Sequence, residues 1–107
     1  MAFQKSFTLR SGAQGNYTRL ITYRVDRMTR EAVGLFSLFV DSAAAHSGKD
    51  PLTPWIAKLR VTGDAFDQYF SSAAPDADTM ANFYRAAKAE PMVSDFGGAL
   101  FSDALDV

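Results

Sequence analysis

A stretch of alternating side chains between residues 17 and 26 restricts this chain to folds that contain a β-sheet with one buried face. Its odd positions are Tyr17, Arg19, Ile21, Tyr23 and Val25, and four of its five even positions are polar. This period of two is typical of a half-buried strand. Residues 32–40 are apolar at nearly every position and predict a central strand covered on both sides. Together the two runs predict an antiparallel hairpin around residues 26–31, with a loop of about four residues.

Other segments of the first half also indicate strands or turns. Alternation predicts a strand over residues 3–9, and the turn-forming residues 11–16 follow it. Two prolines make residues 41–54 a surface connection, with one short helical turn at residues 42–46. A further strand is predicted at residues 55–61. It would place Trp55, Ala57, Leu59 and Val61 on one side, and Ile56, Lys58 and Arg60 on the other.

The second half of the chain has helical spacing. Asp64 is placed to cap a short helix whose apolar stripe is Phe66, Tyr69 and Phe70. A second helix is predicted over residues 76–90, with Pro75 in its first turn and Pro91 after its end. Residues 92–107 are apolar enough to pack, either on their own domain or on a neighbouring molecule.

These patterns predict an α+β fold. An N-terminal antiparallel hairpin belongs to a small sheet or barrel of about four strands, and two short C-terminal helices and an apolar tail follow. The 107 residues make a single domain. Its parts are a basic β-rich segment (1–62), an acidic helical segment (63–91) and a C-terminal arm (92–107).

Composition excludes several classes of site. With no cysteine, the chain has no disulfide, thiolate metal site or cysteine nucleophile, and His46 is its only histidine. No segment approaches the roughly 20 apolar residues of a membrane span. The first residues do not resemble a secretory signal, so we expect the mature chain to begin at Met1 or Ala2 and to fold in the cytosol.

Charge is divided unevenly along the chain. Residues 1–60 hold nine basic and four acidic side chains, a net charge of +5, whereas residues 61–107 carry a net charge of −6. Such asymmetry indicates a basic surface for a polyanion, or halves that attract each other within one subunit or between subunits. Mixing of the charges in space after folding is the simpler alternative.

A basic group near the hairpin tip is the clearest candidate for contact with an anion. Alternation places Arg19 and Arg24 on opposite faces of a flat strand, so only Arg24, Arg27 and Arg30 are expected to cluster there. Phosphate contacts by these arginines would allow nucleic-acid binding. The sequence pI of 5.7 argues against it.

Residues that could support catalysis or bind a metal have simpler explanations. His46 could pair with Asp41 or Asp50 as a general base, but a surface-loop histidine is the more ordinary interpretation. Asp76 and Asp78 could bind a metal, although capping of a helix N-terminus accounts for both. We therefore expect no catalytic residue, cofactor or metal. Trp55, Phe96 and Phe101 remain candidates for contact with another protein.

The order of features resembles a known class of proteins. The resemblance rests on residues 17–26, the strand at 32–40, the segment 42–52 and the last seven residues, about two fifths of the chain. This layout is similar to that of short structural proteins encoded in the virion gene clusters of tailed bacteriophages, often near the tail genes. The resemblance implies a repeated, non-enzymatic subunit of the virion, and it assigns no functional residue.

Three hypotheses about function follow. The first is a structural subunit of a tailed phage particle, in or near the tail or neck, that forms a homo-oligomer and contacts other virion proteins. The second is a small regulatory module that binds a protein or nucleic acid through Arg24, Arg27 and Arg30. The third is a small enzyme centred on His46.

Overall fold

The computed structural model describes residues 2–52, 55–70, 79–94 and 101–106. These ranges contain five strands and three helices. The strands are β1 (Phe3–Thr8), β2 (Gln14–Asp26), β3 (Glu31–Phe39), β4 (Ala57–Thr62) and β5 (Leu105–Asp106). The helices are α1 (Ser42–His46), α2 (Gly63–Phe70) and α3 (Thr79–Ala89). The predicted α+β class is therefore confirmed.

The strands form one curled antiparallel sheet in the order β4-β3-β2-β1-β5. Strand β5 adds to the roughly four strands expected from the sequence. It pairs Leu105 with Gln4 and Asp106 with Phe3, so the C-terminal segment forms one edge of the sheet.

The predicted hairpin is present as β2 and β3, joined by the four residues 27–30. The Asp26 carboxylate accepts hydrogen bonds from the backbone N–H groups of Met28 (2.9 Å) and Thr29 (3.1 Å). These donors, Thr29 first, hold the pKa of Asp26 below its ordinary value. The Asp26 side chain thus satisfies two backbone donors of the turn, as aspartate commonly does at the start of a turn.

Strand β2 begins at Gln14, three residues before the regular alternation begins. A tighter turn than expected makes this possible, because Leu9 N–H donates to Ala13 O at 2.8 Å and Gly12 adopts a positive φ of 90°. Residues 14–16, which were predicted to lie in the turn, therefore belong to the strand.

Helices α2 and α3 cover one side of the sheet. At Gly34 an added Cβ would come within 2.9 Å of the Phe83 ring of α3, so the side chains on this side of β3 point toward the helices. We call this side the inner face and the opposite side the outer face. Four phenylalanines fill the core between sheet and helices without exposure: Phe3, Phe36, Phe83 and Phe101.

The element ends differ from the sequence analysis in several places. Helix α2 begins at Gly63, so Asp64 lies in its first turn and is not its cap. Helix α3 spans Thr79–Ala89, and the part of the expected helix before residue 79 lies outside the described residues. Strand β4 begins at Ala57, which leaves Trp55 outside it. Ala57, Leu59 and Val61 do alternate with Lys58 and Arg60 as expected, and all three are buried. None of the described helices has the length and apolarity needed to cross a membrane.

The hydroxyl group of Thr18 is buried in the sheet. Thr18 on β2 is fully buried, and its Oγ1 makes no hydrogen bond to the described residues. Because an unsatisfied buried hydroxyl is unfavourable, Thr18→Val should raise the free energy of unfolding by about 1 kcal/mol, as measured by urea denaturation. Thr22→Val, at an exposed position of the same strand, is the control and should change little. A less stable Thr18→Val protein would show that the hydroxyl does have a partner.

Candidate functional site

A β-bulge at Ile21 determines which side chains reach the outer face. Leu20 pairs with Phe36 and Thr22 pairs with Leu35, so Ile21 is an extra residue in β2. The Leu20 N–H donates instead to the hydroxyl of Tyr84 on α3, a buried hydrogen bond of 2.7 Å. Such an extra residue reverses the alternation of side chains beyond it.

The bulge places Arg19 and Arg24 on the same face, which corrects the expectation that they point in opposite directions. Arg19 pairs with Ser37 and Arg24 pairs with Val33. Ser37 and Val33 are four residues apart on β3 and therefore share a face, which is the one opposite Gly34. The expectation was wrong because it assumed an uninterrupted period of two through Ile21.

Strand β4 adds two more cations to the outer face. Arg60 pairs with Val33, and Lys58 pairs with Leu35. The outer face therefore has two rows across three strands: Arg24, Val33 and Arg60 in one, and Thr22, Leu35 and Lys58 in the next. We call Arg19, Arg24, Lys58 and Arg60 the basic face. Only Arg60 and Lys58 were expected to share a face from the alternation alone.

Glu31 organises part of the basic face. Its carboxylate accepts from Arg60 at 2.7 and 3.0 Å and from Arg24 at 3.1 Å. These arginines, Arg60 first, hold the pKa of Glu31 below its ordinary value. Both guanidinium groups remain open to solvent, since the side chains of Arg24 and Arg60 are 73% and 59% exposed. The arrangement can therefore bind an anionic group without first separating its own ion pairs.

The arginines near the hairpin turn do not form the expected cluster. Arg24 lies on β2 beside Glu31, whereas Arg30 makes a bidentate ion pair with Asp67 of α2. Arg27 is exposed in the turn between them along the chain. The three residues therefore belong to different parts of the surface. The other cations on the face of Arg24 are Arg19 of β2 and Lys58 and Arg60 of β4.

Some basic residues of the first half form ion pairs with acidic residues of the second half of the same chain. Lys5 on β1 binds the Asp103 carboxylate at 2.7 Å, and Arg30 binds Asp67. Both pairs join the basic first half to the acidic second half. The Lys5 ammonium lowers the pKa of Asp103. Attraction between halves within one chain, one of the alternatives raised by the sequence, is therefore present at these two contacts.

The remaining contact candidates differ in their surroundings. Trp55 is 40% exposed and lines a surface depression together with Ile56, Val93 and Ser94. Phe101 is fully buried, with its ring stacked on Phe3 at a centroid distance of 4.6 Å. It belongs to the core of its own chain. Phe96 lies outside the described residues.

His46 is exposed in the last turn of α1, and its ring lies edge-on to Tyr17 at 5.7 Å. Asp41, one of its two expected partners, accepts a hydrogen bond from Ala44 N–H at 2.8 Å and caps α1. Across the described ranges, no group of three histidine, aspartate or glutamate side chains is placed to hold a metal ion. Asp76 and Asp78 lie outside those ranges.

Comparison of the chain with protein-family models, curated proteins and solved structures finds no match.

Proposed function

We propose that this chain is a non-enzymatic structural subunit that acts through self-association and contacts with other proteins, with the basic face as a principal contact surface. We assign the subunit to the tail or neck region of a tailed phage virion, because the order of features in the sequence resembles that of such virion proteins. The convergence of Arg19, Arg24, Lys58 and Arg60 on one side of the sheet carries the proposal.

The composition of this face supports contact with an acidic protein surface. Val33 and Leu35 are half-buried between the cations, so a partner would cover apolar area as well as charge. A second copy offers a suitable surface, because exposed Asp64 on α2 makes no ion pair within the described residues. Contact between two different surfaces of identical subunits is head-to-tail and can close into a ring.

A second candidate function is a regulatory module that binds nucleic acid. The bulge favours it, because Arg19 and Arg24 lie on one face and could contact neighbouring phosphates. Glu31 within the cluster and Asp26, paired with it across the hairpin, reduce the positive potential of the face. We therefore place the protein partner first.

Absolute molar mass by light scattering tests the proposal. We expect wild-type protein to form a defined oligomer at low salt and to dissociate partly as salt screens the contact. Arg24→Gln combined with Lys58→Gln removes two cations of the basic face and should weaken association about tenfold or more. Lys49→Gln combined with Lys88→Gln removes the same charge elsewhere and should leave association unchanged.

A wild-type monomer at every protein and salt concentration would contradict self-association. Equal weakening in both double variants would show that net charge, and not the basic face, controls the association. Salt-sensitive binding of a labelled single-stranded oligonucleotide by monomeric protein, lost in Arg24→Gln/Lys58→Gln, would favour the regulatory module.

A further inference from the structure

A groove of neutral polar side chains lies at the end of the sheet where β1 and β2 meet. A depression of about 390 Å³ is lined by Ser6 and Thr8 of β1 and by Gln14 and Asn16 of β2. An adjoining depression of about 220 Å³ shares Asn16 and is lined also by Gln4, Tyr17, Asp41 and Ser42. We call the side chains of Gln4, Ser6, Thr8, Gln14 and Asn16 the polar groove.

The side chains of the polar groove are able to form hydrogen bonds with a ligand. Within the described residues, none of the five makes a side-chain hydrogen bond or an ion pair. Two hydroxyls and three carboxamides offer both donors and acceptors at positions open to solvent. Thr8 and Gln14 are direct cross-strand partners, so their side chains start from adjacent points on the sheet.

The charge and polarity of the residues that line the larger depression indicate which class of ligand it could bind. Among the residues that the structure describes, no charged side chain lines it, and Phe7 and the half-exposed Val40 supply its apolar surface. Neutral donors and acceptors beside a small apolar wall suit a ligand that carries several hydroxyl groups and exposed C–H bonds. An anion would find no cation among the lining residues, and a hydrocarbon would leave the amides without partners.

Sequence and strand register explain why the groove stays open. At Gly15 an added Cβ would come within 2.4 Å of the backbone oxygen of Phe39, so the backbone of β2 lies very close to the end of β3. Asn16 N–H donates to Val40 O at 3.1 Å at the same place. The β2 backbone at Gly15 and Asn16, both of which line the larger depression, is therefore held against the end of β3.

We infer that the polar groove is a binding site for a neutral saccharide, which the amides of Gln14 and Asn16 and the hydroxyls of Ser6 and Thr8 would hold by hydrogen bonds. This site shares no residue with the basic face and does not depend on the function proposed for it.

Chemical-shift mapping on ¹⁵N-labelled full-length protein tests the inference. The probes are methyl α-glucoside, methyl β-galactoside, methyl α-mannoside and N-acetylglucosamine, each titrated separately, with glycerol as a hydroxyl-bearing reference. At least one sugar should shift the amide signals of residues 6–8 and 14–16 in a saturable manner, with a Kd of about 1 mM. Glycerol should not produce this pattern.

Thr8→Val combined with Gln14→Met removes the hydrogen-bonding groups of one cross-strand pair but keeps similar side-chain volume. It should weaken binding of the responding sugar about tenfold. Thr22→Val combined with Thr62→Val makes similar changes on the outer face and should bind as the wild type does. Absence of localised shifts with all four sugars, equal shifts with glycerol, or undiminished binding in Thr8→Val/Gln14→Met would each overturn the assignment.

Discussion

Phe101→Ala is expected to lower the free energy of unfolding by about 3–5 kcal/mol, a large part of the stability of a domain of this size. The Phe101 ring is fully buried and stacks on Phe3 at 4.6 Å. It also lies 5.6 Å from the Phe36 ring and 6.0 Å from the Phe7 ring. Truncation would therefore leave a cavity where β1, β3 and the C-terminal segment meet. Urea denaturation followed by circular dichroism measures the effect.

Two further variants make this result specific. Phe101→Leu keeps much of the buried volume and should cost clearly less than Phe101→Ala. Leu105→Ala, at a position that is 64% exposed on β5, should change the unfolding midpoint little. If Phe101→Ala unfolds at the wild-type urea concentration, the C-terminal segment does not belong to the core.

Tyr84→Phe is expected to cost about 1–3 kcal/mol of unfolding free energy, although it removes only one oxygen atom. The Tyr84 hydroxyl accepts the Leu20 N–H that the bulge takes out of the β2–β3 ladder. Without the hydroxyl, the buried Leu20 N–H loses its hydrogen-bond partner. Tyr23→Phe, at a residue that is 45% exposed, is the matched control and should be nearly neutral.

Ionisation of Tyr84 should also make the free energy of unfolding depend on pH in the alkaline range. Burial raises the pKa of Tyr84 above its ordinary value of 10.0, although the hydrogen bond from Leu20 opposes the shift. The folded chain therefore keeps the proton where the unfolded chain loses it, so stability is complete below about pH 10 and falls as the pH rises above it. Tyr84→Phe should lose less stability than the wild type over this alkaline range. An identical alkaline loss in both proteins would contradict this assignment.

Local patterns were sufficient for much of the fold. The hairpin and its four-residue connection follow from the contrast between the alternating run and the apolar run that precedes residue 41. The stripe of Phe66, Tyr69 and Phe70 correctly indicated a buried helix face. These elements could be predicted because each depends on side chains that are near one another in the sequence.

The features that local patterns missed depend on distant contacts. Strand β5 has only two residues, and it exists because β1 supplies a partner about one hundred positions earlier. The bulge at Ile21 likewise depends on a hydroxyl from α3, 64 residues away from the N–H that it accepts. Without knowledge of Tyr84, the alternation through residues 17–26 gives no reason to expect an interruption.

The candidate site was predicted only in part for the same reason. The excess of basic residues in the first half is visible in the sequence, and Arg24 is among the predicted contact residues. A regular strand would separate Arg24 from Arg19, and only the bulge brings them to one face. Alternation also predicts a shared face for Lys58 and Arg60, but it does not indicate that β4 lies next to β3. Strand order, and not residue type, was the missing information.

The pairing of Phe3 with Asp106 has a consequence for the order of events during protein synthesis. Strand β1 leaves the ribosome before the other strands, yet the ring stacked on Phe3 and the edge strand beside β1 belong to residues 101–106. Until those residues emerge, the nascent chain has one open edge at β1, and Phe3 is without its stacking partner. The sheet is therefore completed only after translation of its last strand.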